Sequence, residues 1–300
     1  MPAIRVLILL VLCGPAVRAA ELLPLMARPI TLPRGTSDLT LHGTYTNWDL
    51  GLGALGGPSS LTGETLALGA DFGVTDRLQV GLGVALPIHP GASFGSVLGS
   101  VAFAAHPNAA VRFDAGVERI GANGDNTGTS THAARFFLGF GPRIKVPLSQ
   151  TLAFVTGRSG TVHFGHFNNI GDQGAAIYSG ASFFPETASD FFVVSVGDHD
   201  TGTNIGINLP AGLLLQPDPH LAVTLLAGYS VAIAVPDTPG ASTAALHFIP
   251  VGLEAVVSPD SMFDLGARLV IDGYVANSGG SSSLRYFDLR ALMFWIRAHV

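Results

Sequence analysis

The stretch HFGHFNN places His163 and His166 three residues apart, with Ser159 shortly before and Asn168 just after. Those side chains could ligate a metal or form a Ser-His-Asn hydrolytic set. On a strand, residues i and i+3 face opposite sides, so the plainer reading is a polar loop carrying its usual histidines. GDHDTG, with Asp198, His199 and Asp200, has the acidic-histidine composition of some proteolytic sites, and one short acidic loop has it too. GANGDNTG offers Asn123, Asp125 and Asn126 to a calcium ion, although Gly/Asn/Asp runs usually make turns. No catalytic set, metal or cofactor is assigned from these motifs.

A larger group of charges is embedded in apolar alternation: Arg112, Asp114, Glu118, Arg135, Arg143, Lys145, Glu254, Asp264, Arg268, Asp288 and Arg290. Gathered inside a wet lumen, they would line a polar path and set its selectivity. In a small barrel, the same charges would neutralise one another and fill the interior.

The elements that must carry them read as strands. In DFGVTDRLQVGLGVALPI, Asp71 to Ile88, the apolar Leu78, Val80, Leu82, Val84, Leu86 and Ile88 alternate with Gln79, Gly81, Gly83, Ala85 and Pro87. Period two is a strand pattern. It recurs in LTLHGTY, TLALGADFGV, SVLGSVAFAA, AVRFDAGVERI, AARFFLGFGPRIKV, TLAFVTG, NIGINLPAGLLLQ, HLAVTLLAGYSVAI, HFIPVGLEAVV, MFDLGARLVID and LRYFDLRALMFWI. Tight turns at 75–77, 106–108, 147–150, 217–219 and 258–261 alternate with longer polar loops at 48–63, 121–131, 236–242 and 277–283. Short turns at one end and long loops at the other are the rhythm of an up-and-down membrane barrel.

Composition agrees. Of 300 residues, 48% are hydrophobic and 12% charged, with mean hydropathy +0.44. After residue 19 there is no apolar run of the roughly 18 residues that a membrane helix needs, yet a soluble surface would carry more charge. A lipid-facing apolar row opposite a row of small and polar residues satisfies both facts. Aromatics near strand ends (Tyr45, Trp48, Phe72, Phe263, Tyr274, Tyr286 and Trp295) fit interfacial girdles. The alternative is a secreted soluble β-protein with an inward apolar core.

The first residues, MPAIRVLILLVLCGPAVRAAE, have a charged Arg5, an apolar Val6–Cys13 and a small-residue cleavage site before Ala20. That is the pattern of a secretory signal peptide over 1–19. Leu12, standing before Cys13, is too large for a lipoprotein site. Cleavage would remove Arg5 and Arg18, leaving 13 basic against 21 acidic residues, a net −8, and would remove the sole cysteine. Nothing basic clusters, so no nucleic-acid partner is expected. Disulfide and thiolate chemistry would be absent from the mature chain.

ARPITLPRGTSDLTL and DFGVTDRLQVGLGVALPI together resemble Gram-negative outer-membrane barrels found in aromatic-compound (phenol) degradation clusters, which are loosely similar to long-chain fatty-acid transporter barrels. The resemblance implies an outer-membrane barrel and small, hydrophobic or aromatic solutes. One departure is the ending Arg297-Ala298-His299-Val300, where such chains commonly finish on an aromatic residue. The alternating Phe287, Leu289, Ala291, Met293 and Trp295 is still similar to the terminal strand that barrel-assembly machinery reads.

The expected architecture is therefore all-β: a transmembrane up-and-down antiparallel β-barrel over 39–300, preceded by a periplasmic lead over 20–38. About twelve strands are expected, or fourteen if the weak 176–197 hairpin joins the wall. The expected function is a channel or passive transporter filtered by residues 159–203. The alternatives are a closed structural or adhesive barrel and an outer-membrane hydrolase using Ser159, His163 or Asp198. The expected partners are outer-membrane lipid and lipopolysaccharide, the assembly machinery and small solutes.

Overall fold

Alternation of apolar with small or polar residues, punctuated by Pro, Asp and Gly turns, favours meandering antiparallel pairing. The computed structural model describes residues 23–48, 61–89, 96–122, 131–156, 168–170, 175–177, 192–196, 203–235, 244–278 and 281–300. Its strands are β1 (Ser37–Trp48), β2 (Leu61–Thr75), β3 (Leu78–His89), β4 (Ser96–His106), β5 (Ala109–Ala122), β6 (Thr131–Pro147), β7 (Leu152–Thr156), β8 (Asn168–Ile170), β9 (Ala175–Ile177), β10 (Phe192–Val196), β11 (Thr203–Asp218), β12 (Leu221–Val235), β13 (Ala244–Val257), β14 (Phe263–Ser278) and β15 (Ser281–His299).

Each wall strand pairs antiparallel with its neighbours, and the last meets the first, from Asp38↔His299 to Trp48↔Leu289. Beyond that pairing, the amide of Ser37 donates to the Val300 carbonyl at 2.7 Å and Val300 returns the bond to Ser37 at 2.8 Å. Among the described residues the wall therefore closes on itself at this seam, as a membrane wall requires. Its two ends lie together at the rim that carries the short turns.

Among the described residues the wall has twelve strand positions. One of them is shared by β7 and β10. β7 pairs with Ile144–Pro147 of β6 and Gly212–Leu215 of β11, while β10 pairs with Phe136–Phe140 and Thr203–Ile207 of the same two strands. Phe192–Val196 thus joins the wall as a continuation of the seventh strand rather than as an extra hairpin, and the count stays at twelve. β8 and β9 form a separate two-stranded sheet.

The two faces are the reverse of a soluble barrel. Outward side chains are large and apolar: Leu82 is 59% exposed, Phe113 57% and Leu225 60%. Inward ones include Arg112 and Arg268 at 1%, with His42, Asp71, Lys145, Glu254 and Asp264 also buried. Lipid is the medium that accepts such an outer surface.

One strand differs from expectation. On β15, Ala291, Met293 and Trp295 are buried in the lumen, whereas Leu292, Phe294 and Ile296 face outward. Trp295 is therefore not a girdle residue, while Tyr45, Phe72 and Phe263 are exposed on the outer face. Both rows of this strand are apolar, so hydrophobicity alone does not choose between them; pairing with β1 and β14 does.

Candidate functional site

The inward row on neighbouring strands can be followed as a belt. Thr44 lies opposite Met293, Met293 opposite Arg268, Arg268 opposite Glu254, Glu254 opposite Thr224, and Thr224 opposite Leu214. Arg268 donates from Nε to Glu254 Oε2 at 2.8 Å and also from Nη2 to the same oxygen. Its guanidinium lies 5.7 Å from the Trp295 ring centroid, a cation–π distance. On the other side of the lumen, Arg112 Nε donates to Asp114 Oδ1 at 2.7 Å, two residues along the same strand and on the same face. Asp71, Ser100 and Arg112 surround a space there with room for a single water molecule.

The remaining predicted residues are distributed as follows. Arg143 and Lys145 of β6 are buried inside, as is Asp264 of β14. Glu118 and Arg135 pair directly across β5 and β6 in backbone register, and their side chains, like that of Asp288, lie outside the described residues. Arg290 is exposed and shares the row of Leu292 and Phe294, so alternation turns it away from the lumen. Ser159, His163, His166, Asp198 and the Asn123–Asn126 group also lie outside the described residues. Among the described residues, no cluster of three or more His, Cys, Asp or Glu side chains could hold a metal.

The feature with no signature in the sequence is the lead. Residues 23–36 do not trail away from the barrel but fold into its short-turn end. Leu25 is 2% exposed and belongs to an apolar cluster with Ala153, Val155, Leu214, Ala222, Val256 and Trp295. Ile30 packs with Ala104 and Ala110 on the other side of the lumen. Hydrogen bonds from the wall satisfy much of its coil backbone. Gln216 Oε1 accepts from the Met26 amide at 2.8 Å, Gln79 Oε1 from Leu32 at 3.0 Å, the Pro107 carbonyl from Ile30 at 3.0 Å and Asp76 Oδ1 from Arg34 at 3.0 Å. Lys145 Nζ donates to the carbonyls of Leu25, at 3.3 Å, and Arg28. The segment therefore touches inward or rim residues from β3 round to β14 and lies across the short-turn end of the barrel.

Its firmest hold is ionic. Arg28 reaches Asp264 as a fork, Nη1 to Oδ2 at 2.5 Å and Nη2 to Oδ1 at 3.0 Å. Asp264 also accepts from Ser258 Oγ at 2.6 Å and bonds His299 Nε2 at 2.9 Å, while His299 Nδ1 bonds Asp38 Oδ1 at 2.7 Å. Arg297 stands 3.6 Å from Asp264 and 3.7 Å from Asp38. One carboxylate thus joins the lead, a turn and the seam between the first and last strands. Gly35, at φ +78°, gives the chain the left-handed bend that takes it from lead to β1. The backbone of Pro33 lies so close over Gly73 that a Cβ there would collide with its carbonyl.

Sequence reasoning missed Arg28, Asp38, His42, Arg297 and His299 as interior or rim groups. His42 and Asp38 lie on the polar row of β1 and are legible by alternation; Arg28 sits in aperiodic coil.

No protein-family model matches this sequence, and no curated protein matches it significantly. In fold, the chain is similar to LpxR from Salmonella typhimurium, with TM-score 0.44 and 11% identity over 86% of this chain and 99% of that one. It is similar at TM-score 0.44 and 10% identity to the beta domain of the Bordetella autotransporter BrkA, over 88% and 98% of the two chains. The translocator domain of autotransporter NalP from Neisseria meningitidis gives 0.42 and 10%, over 89% and 88%. At these scores, the likeness carries no functional argument.

Proposed function

We propose that this chain is an outer-membrane channel for passive transport of small solutes, closed in the present form by its own N-terminal lead. The observation that carries this is the kind of closure. A coil held by side-chain hydrogen bonds and one charged fork blocks the rim, rather than the wall strands themselves. Above it, the lumen is lined by charged and polar groups, including Arg112, Asp114, Arg143, Glu254 and Arg268, which suit a watery path better than a dry core. The apolar patch of Val155, Leu214, Val256 and Trp295 supports solutes with a hydrophobic or aromatic part. The cell outer membrane is the compartment, its lipid and lipopolysaccharide surround the outer face, and barrel-assembly machinery inserts it.

Liposome swelling tests this directly. Vesicles carrying the barrel without residues 20–34 should admit small neutral solutes faster than protein-free vesicles and faster than vesicles carrying the intact chain from Ala20, with aromatic solutes of equal size admitted at least as fast as sugars. Swelling by the shortened, folded barrel equal to the lipid control for every solute would reject a channel.

A closed structural barrel is the second reading, favoured by the buried pairing of Arg268 with Glu254 and of Arg112 with Asp114. It predicts no permeability whether the lead is present or absent. The hydrolase alternative rests on Ser159, His163 and Asp198, and loss of lipid or peptide hydrolysis on replacing them would be its signature.

A further inference from the structure

We propose that residues 23–34 are a releasable stopper and that Arg28 on Asp264 is its latch, so that the chain holds its own lumen shut until this fork is broken. The function it serves rests on the channel reading above; the contacts themselves do not.

Three observations point to release rather than permanent closure. First, among the described residues the lead makes no strand pairing with the wall over 23–34, and its backbone bonds to β2 begin only at Gly35 and Thr36. Its backbone is held by side chains and turn carbonyls (Gln216, Gln79, Asp76, Pro107), each a local bond that can pass to water one at a time. Secondly, Asp264 does not depend on Arg28. When the fork leaves, the carboxylate keeps Ser258 Oγ, His299 and the nearby Arg297, so release strands no buried unpaired charge on the wall. Lys145, which donates to lead carbonyls, would then face the water that enters. Thirdly, the lead ends in a defined hinge. Gly35, with its positive φ, is followed by Thr36 and Ser37, which are fixed to Gly73 and Val300, so movement of 23–34 need not disturb β1.

The latch differs from the other contacts in kind. A guanidinium fork on a buried carboxylate joins two opposite charges and is geometrically selective, whereas each remaining tether, Lys145 on the carbonyls of Leu25 and Arg28 included, has at most one charged partner. It also sits where the lead, the 258–261 turn and the closing strands meet. The apolar tooth Leu25 covers Ala153, Val155, Leu214, Ala222, Val256 and Trp295, and its departure would uncover that patch to the lumen.

The test is cysteine accessibility in the folded barrel. The chain from Ala20 onward has no cysteine, so Leu25→Cys supplies a single thiol, and Thr31→Cys supplies a second reporter that leaves Leu25 in place. Each is reconstituted in phosphatidylcholine vesicles and treated on both sides with a charged, membrane-impermeant maleimide, folding being checked by heat-dependent gel mobility. With Arg28 present, both thiols should label slowly. Arg28→Ala should speed labelling of both by at least tenfold, and Arg28→Lys, which keeps the charge but loses the fork, should fall between. Labelling unchanged by Arg28→Ala, in a barrel shown to be folded, would overturn the latch; the milder Arg28→Lys keeps the test decisive if the alanine variant fails to fold. Conductance recorded on the same samples separates the two ideas. Faster labelling without conductance keeps the stopper and rejects the channel, whereas conductance with unchanged labelling keeps the channel and rejects the stopper.

Discussion

Glu254 and Arg268 stand directly opposite each other on β13 and β14, inside the barrel, with Glu254 Oε2 accepting from both Nε and Nη2 of the guanidinium. Both residues are buried, Arg268 to 1%. Removing one partner leaves a buried charge with part of its compensation gone. Glu254→Gln is expected to lower unfolding stability by about 3 kcal/mol, measured by urea unfolding in lipid vesicles. The double change Glu254→Gln with Arg268→Met should recover most of the loss, because it deletes the pair rather than half of it.

The outer face gives a sharper contrast. Leu225 is 60% exposed and lies opposite Leu253 on the lipid side. Leu225→Arg should cost about 2 kcal/mol in bilayers, since the charge must enter or distort hydrocarbon. An arginine at an equally exposed position of a soluble protein would cost nothing comparable. A neutral outcome in the same vesicle-unfolding assay would argue against lipid contact at this row.

At the rim, His299 bridges Asp38 and Asp264 at 2.7 and 2.9 Å and so ties the first strand to the fourteenth across the last. His299→Ala removes two bonds to carboxylates and should destabilise the barrel by about 2 kcal/mol, again read from urea midpoints. The unusual ending Arg-Ala-His-Val thereby has a structural role, since Arg297 and His299 both serve the Asp38–Asp264 cluster.

Gly73 offers a route to the stopper that leaves Arg28 untouched. A side chain there would meet the carbonyl of Pro33. Gly73→Val should therefore push the lead off its seat and raise the labelling of Thr31→Cys severalfold, while Gly43→Val, where nothing lies within 4 Å of a Cβ, should not.

What is legible in the sequence depends on local period. The β2–β3 hairpin is legible because Leu78 to Ile88 keeps one row large and apolar and the other small or polar, and burial follows that row. β15 is not legible in the same way. Ala291, Met293 and Trp295 on one side and Leu292, Phe294 and Ile296 on the other are equally apolar, and only pairing with β1 and β14 decides which row meets lipid. Charge alone assigns Arg290 to the lumen, and the pairing puts it on the other row. The shared position of β7 and β10 is hidden because its two halves are separated by residues 157–191 in the chain. The lead has no period to read: its Pro-rich coil is specified by long-range partners such as Asp264, Lys145 and Gln216, which no spacing in the sequence connects.

Whether the lead closes a channel is decided by conductance across a planar lipid bilayer, recorded for the chain beginning at Ala20 and for the same chain lacking residues 20–34. The intact chain should insert and stay mostly shut, with rare brief openings. The shortened chain should show frequent stepwise openings whose ion preference shifts towards cations on Arg143→Gln, which removes a lumenal positive charge. A shortened barrel that is folded and inserted yet conducts no more than lipid alone would refute the stoppered channel and leave a permanently filled structural barrel in its place.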